Sequence, residues 1–183
     1  MTTGWIQIGP LSTSRVSIAG CVVDGETKRP LAGVRVAIVD SSRVTATAGD
    51  GTFHLADLPG SEYEISFELP GAGLRYGTTT QVVTVEEGGR AVITAELPPT
   101  GVKGVVLSPV GGSIYPRAQL AGSGEGIYGG ADGSFRLLAV EPGARRILLT
   151  APGCEPRVID AAITRGEVLD AGAVQLTERS SGS

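Results

Sequence analysis

From Arg15 onward the chain is written in short apolar alternations, cut at regular intervals by glycine, proline and aspartate. In "VRVAIV", Val34, Val36 and Ile38 fall on one face of an extended segment. In "YEISFEL", Tyr63, Ile65, Phe67 and Leu69 do the same, while Arg35, Glu64, Ser66 and Glu68 take the opposite faces. A period of two with one apolar and one polar side predicts antiparallel strands stacked into a sandwich. Seven such segments are predicted in the first half: Arg15–Val23, Val34–Val39, Arg43–Ala48, Thr52–Leu55, Tyr63–Leu69, Gln81–Val85 and Ala91–Leu97. Seven more follow in the second half: "GVKGVVL", "RAQLAG", "GIYG", "SFRLLAV", "RRILLTA", "RVIDAAI" and "LDAGAVQL". Ala161 to Leu169 is the one stretch where a helical turn competes, and Gly166 argues against it.

The two halves repeat one another. "AGDGTFHLADLPG" from Ala48 returns as "GADGSFRLLAVEPG" from Gly130, with Phe53 matching Phe135 (135 − 53 = 82) and Gly20 matching Gly104 (104 − 20 = 84). A period near eighty residues suits a small sandwich rather than a solenoid unit. The fold class expected is all-β: two tandem seven-stranded antiparallel β-sandwich domains with a short N-terminal arm. The expected divisions are an arm at 1–14, a first sandwich at 15–98, a more divergent second at 99–177, and a flexible tail at 178–183. Pro98 and Pro99 in "LPPTG" mark the boundary between the sandwiches.

The spacing within each copy resembles the carboxypeptidase regulatory-like domains, which share a transthyretin-like (prealbumin-like) sandwich. The first copy carries the G-x-V pair Gly20 and Val22, the turn Pro30, Leu31, Gly33 and Val34, then Thr47, Gly51 and Phe53, then Leu58, Pro59, Gly60 and Tyr63. The second supplies Gly104, Val106, Pro116, Gly133, Phe135, Pro142 and Gly143, with Ala144 read as the small residue replacing Tyr. The resemblance implies a non-catalytic module for adhesion, packing or spacing.

Composition narrows the partners. With 41% hydrophobic residues but only 4% aromatic, the cores must be mostly aliphatic. A net charge of −4, with no basic cluster beyond Arg145-Arg146, gives no footprint for nucleic acid. Cys21 and Cys154 are far apart and outside any CxxC pattern, so they read as buried thiols, with a disulfide as the other reading. The absence of asparagine removes N-glycosylation and any Lys–Asn isopeptide crosslink. No stretch approaches the roughly 18 apolar residues of a membrane span, and the N-terminal residues lack a secretory pattern. Localisation stays open between cytoplasmic synthesis and a component of an exported particle.

Candidate chemistry is sparse. His54, the only histidine, alternates with Phe53 and Leu55 and matches Arg136, so it is expected to point outward rather than to catalyse or bind metal. Asp50-Gly51 and Asp132-Gly133 lack the closely spaced carboxylates of a calcium loop and are expected to close hairpins. "GSGEGIYGG" (Gly122–Gly130) is followed by no helix, which a phosphate cradle requires; it reads as a hairpin connection in which Glu125 and Tyr128 offer a contact surface. No GxSxG occurs, and the C-terminus "TERSSGS" differs from the Tyr-Arg-Gly-Ser tail of the transthyretin-fold hydrolases. Lys28 and Lys103, the only lysines, sit in no isopeptide motif. No catalytic residue, metal site or cofactor is expected.

The most suggestive unrepeated segment is "GWIQIGPL", where Trp5 precedes the alternating Ile6 and Ile8. It either folds back on its own sandwich or adds a strand to a partner or a neighbouring copy. The reading is therefore a non-enzymatic structural or protein-interaction module with a protein partner or homo-oligomer engaged through the arm, such as a decoration or connector of a phage-tail-like particle. The rival readings are a carbohydrate-, polymer-binding or adhesion module, and the accessory domain of an enzyme.

Overall fold

The computed structural model describes residues 15–71, 74–109 and 111–180. In chain order the strands are β1 (Val16–Asp24), β2 (Arg35–Ile38), β3 (Val44–Ala46), β4 (Thr52–Ala56), β5 (Ser61–Glu68), β6 (Thr79–Val85) and β7 (Ala91–Leu97). They continue as β8 (Gly101–Leu107), β9 (Arg117–Leu120), β10 (Gly126–Tyr128), β11 (Ser134–Leu138), β12 (Gly143–Thr150), β13 (Arg157–Ile163) and β14 (Val168–Gln175). In the first sandwich a three-stranded sheet, β4-β1-β7, packs on a four-stranded one, β3-β2-β5-β6. The second repeats this as β11-β8-β14 on β10-β9-β12-β13. Pairing is antiparallel except that β7 runs parallel to β1 and β14 parallel to β8. In both copies the last strand crosses from the four-stranded sheet and enters the other beside its first strand.

The predicted faces are the buried ones. Ile18, Val22, Phe53, Leu55, Ala95 and Leu97 from one sheet meet Val36, Ile38, Ile65, Phe67, Val83 and Val85 from the other. Phe53 and Phe67 pack edge to face with ring centroids 5.7 Å apart, while in the second core Leu149 stands where Phe67 does. Across the β1–β4 pair Gly20 lies opposite Phe53, and across β8–β11 Gly104 lies opposite Phe135. A Cβ on Gly20 or Gly104 would come within 2.9 or 3.0 Å of that ring. The glycine of one motif and the phenylalanine of another are thus a single device, made twice: the bare backbone is the seat of the ring.

The Asp-Gly turns differ from expectation. β3 and β4 lie in different sheets, as do β10 and β11, so each turn is a corner between sheets and not a hairpin. The two corners are built alike. Asp50 Oδ1 accepts the Thr52 N–H at 3.0 Å and its hydroxyl at 2.7 Å; Asp132 Oδ1 accepts the Ser134 N–H and hydroxyl at the same distances. Gly51 (φ 78) and Gly133 (φ 80) supply the left-handed step.

Strand register also reassigns the motif tyrosine of the second copy. β5 and β12 share one burial pattern from Ser61 and Gly143, which places Arg145, not Ala144, at the position of Tyr63. The Tyr63 hydroxyl donates to the Pro59 carbonyl at 2.8 Å, and Arg145 Nε donates to the Glu141 carbonyl at 3.2 Å. The same backbone acceptor is kept and the donor is exchanged.

Candidate functional site

Trp5, Ile6 and Ile8 lie outside the described residues. His54 projects from β4 into solvent, beside Ala19 of β1. Among the described residues no group of three or more His, Cys, Asp or Glu side chains converges as a metal site would require. Cys154 is buried, as read, but Cys21 is half-exposed on an outer sheet face with its sulfur 3.5 Å from the Thr94 hydroxyl. Both cysteines are free.

The Gly122–Gly130 stretch forms the β9–β10 hairpin, and it separates the two residues expected to act together. Tyr128 ends the edge strand β10, three-quarters exposed, with the Arg117 guanidinium 5.6 Å from its ring centre. Glu125 turns the other way and pairs with Arg75 of the first sandwich at 2.5 Å.

That pair belongs to a joint between the sandwiches. Arg75 also donates to the Ala139 carbonyl at 2.8 Å. Arg165 donates to the Tyr76 carbonyl at 2.8 Å and pairs with Glu68 at 3.3 Å, and Arg136 pairs with Glu26 at 2.7 Å. At the centre sits Thr100, completely buried and fully bonded. Its hydroxyl donates to the Leu74 carbonyl at 3.1 Å and accepts the Gly166 N–H at 2.8 Å. Its N–H reaches the Arg75 carbonyl, and its own carbonyl accepts from Val140. Gly77 and Gly166 touch backbone to backbone, since a Cβ on either would lie 2.9–3.0 Å from the other's Cα.

No sequence motif points to this joint, yet the repeat carries a signal for it. The copies run 82 residues apart through Gly71 and Gly153 (153 − 71), then 78 apart at the ends of β6 and β13 (163 − 85). The extra residues of the first copy fall in the segment that supplies Leu74, Arg75, Tyr76 and Gly77 to the joint.

Local electrostatics follow from these contacts. Burial, with a hydrogen bond at 2.9 Å to Asp24, pushes the Tyr76 hydroxyl up to about 12. The Asp24 side chain also accepts the Glu26 and Thr27 N–H groups at 2.8 Å each, so this buried carboxylate is satisfied on both oxygens. The Glu125 carboxylate raises the Arg75 guanidinium further above its ordinary range. Hydrogen bonds from Thr52 and Ser134 lower Asp50 and Asp132, with the hydroxyl contributing more than the backbone in each.

Residues 17–98, the span of the sandwich built from β1–β7, match the family model of the carboxypeptidase regulatory-like domain. No curated protein matches the chain in sequence. Among solved structures it is similar to the Bacillus anthracis TIE protein (16% identity, TM-score 0.43, 90% of this chain and 34% of that one). It is also similar to the streptococcal ancillary pilin (17%, 0.39, 92% and 63%) and to the shaft pilin SpaA from Lactobacillus rhamnosus GG (11%, 0.38, 92% and 99%). The likeness is weak in sequence and in superposition, and the chain spans less than two thirds of the first two.

Proposed function

We propose that the chain is a non-catalytic structural and protein-interaction module: two sandwiches locked end to end as a spacer that holds protein partners at a fixed separation in a larger assembly. The observation that carries this reading is the joint. Sandwiches that merely share a chain need only a polar linker, and relative motion is then the default. Here a buried threonine, two abutting glycines and four of the seven ion pairs among the described residues are committed to one orientation. Spin labels at Val82 and Val158, both exposed, in a Cys21→Ser background test it through the distance distribution between them. A single narrow distribution is expected, together with recovery of the chain from its native source in a complex of fixed stoichiometry. A broad distribution, or recovery as a free monomer, removes the spacer reading.

A second reading, polymer binding or adhesion, is favoured by Tyr115 and Tyr128, both strongly exposed near the β10 edge. A glycan array probed with the wild type and Tyr128→Ala tests it; absence of binding rejects it.

A further inference from the structure

We propose that residues 1–14 pack across the outer face of the β4-β1-β7 sheet of their own chain, with Trp5 as the anchor. The strongest support is a comparison the molecule makes with itself. At one level of the first sandwich, His54, Ala19 and Val92 lie side by side on adjacent strands. At the same level of the second sandwich the row reads Arg136, Lys103 and Asp170. At this level the second copy carries three charged side chains, of which Arg136 pairs with Glu26 of the first sandwich and Asp170 accepts the Gly172 N–H, while Val105 and Leu107 further along β8 are exposed apolar residues. The first copy carries only an imidazole at this level, with Val92 73% exposed, and it holds a groove of about 460 Å³ running past Val16, Ala19 and Cys21, with Thr52, Thr94 and Arg90 as its polar lining.

The difference tracks what precedes each sandwich. β8 is entered through Pro98, Pro99 and the buried Thr100, so no free segment is available to its face. β1 is entered from residues 1–14. Arg15 is fixed where they join, because its N–H donates to Asp57 Oδ1 at 2.8 Å and its carbonyl accepts the Asp57 N–H at 2.8 Å. This is the end of β1 away from the joint, and it opens onto the groove at Val16. At roughly 3.3 Å per residue the nine steps from Ser14 back to Trp5 span about 30 Å, against about 20 Å from Arg15 to Cys21, so a reversed arm covers the groove with slack. Trp5, Ile6 and Ile8 are the apolar residues such a groove takes. A tethered segment meets its own groove at an effective concentration in the millimolar range, which favours it over the arm of a second copy.

Trp5 is the sole tryptophan, so its emission reports on the arm alone. In the full chain, emission is expected to be blue-shifted from that of the isolated 1–14 peptide, at every protein concentration and with a monomer in light scattering. Val92→Glu is expected to return it to the peptide value with circular dichroism unchanged. Deleting residues 1–14 is expected to speed thiol labelling of Cys21 by roughly tenfold or more, the factor for about 1.4 kcal/mol of docking. Buried Cys154 serves as the slow control. Peptide-like emission in the wild type, or Cys21 labelling indifferent to the deletion, overturns the proposal. Shielding of Trp5 that appears only in a dimer and is lost on dilution also overturns it, and assigns the groove to the arm of a second copy.

Discussion

Replacing Thr100 by valine keeps the shape of a completely buried side chain and deletes its hydroxyl. The Gly166 N–H then loses its acceptor and the Leu74 carbonyl its donor. Stranding one such donor costs about 1–3 kcal/mol. For a cooperative unit of this size that is a fall in melting temperature of about 2–4 °C per kcal/mol. Loss of a surface ion pair is the smaller perturbation. The arginines of the joint are about a third exposed or more, and an exposed pair contributes about 0.2–1 kcal/mol. Calorimetry should therefore show one transition in the wild type and in Arg136→Ala, and a lower, broadened or split transition in Thr100→Val. If Thr100→Val melts as the wild type does, the joint does not couple the sandwiches and the spacer argument falls with it.

Gly166→Ala should open the same joint from the other side. Its φ of +73 costs an L-residue about 1–2 kcal/mol, and the new Cβ would press on the Gly77 Cα at 2.9 Å, so an unchanged scattering profile would refute the close packing. Asp50 and Asp132 both titrate below the usual carboxylate range when folded, so their contribution is present above the unfolded pKa near 4 and is lost as pH falls through the folded values. Asp50→Asn/Asp132→Asn should flatten stability against pH in that acid window, as read by urea unfolding. Tyr76 has the opposite sign: its pKa is raised, so its contribution is complete below pH 10 and disappears as pH rises through about 12. Tyr76→Phe should remove that alkaline loss and the latest step in the tyrosinate absorbance titration.

What could be read from the sequence was whatever is local or periodic. Alternation at Val34–Ile38 and Tyr63–Leu69 set the faces because a strand's side chains must alternate, and the outward direction of His54 followed from the same rule. The Asp-Gly turns were legible as chemistry but not as geometry, since a tight turn with positive φ serves a hairpin and a sheet corner equally well. Arg145 was missed because a motif names residue types, while the Glu141 carbonyl needs only a donor at that place on the strand. The joint was illegible for a different reason. Arg75 meets Ala139, and Gly166 meets Thr100, across more than sixty residues of chain, and neither has a local pattern. Only the change of repeat spacing after Gly71 marked the place.

The repeat also allows its own face to be exchanged. In the second sandwich Lys103 and Asp170 stand on neighbouring strands with the ammonium 4.0 Å from the carboxylate, next to a register shift in β14, so the fold accommodates that pair. Writing it into the first sandwich, as Ala19→Lys/Val92→Asp, should therefore be tolerated. Val92 is already 73% exposed and loses little burial. Aspartate's poor strand preference costs up to about 1 kcal/mol, and an exposed pair returns about 0.2–1 kcal/mol. Measured on a chain lacking residues 1–14, the double variant should unfold within about 1 kcal/mol of its parent. Measured on the full chain, it should lose the additional stability of the docked arm. A loss above about 3 kcal/mol without the arm would mean that Ala19 and Val92 belong to the packing of the sandwich itself, and the contrast between the two faces would then say nothing about what covers one of them.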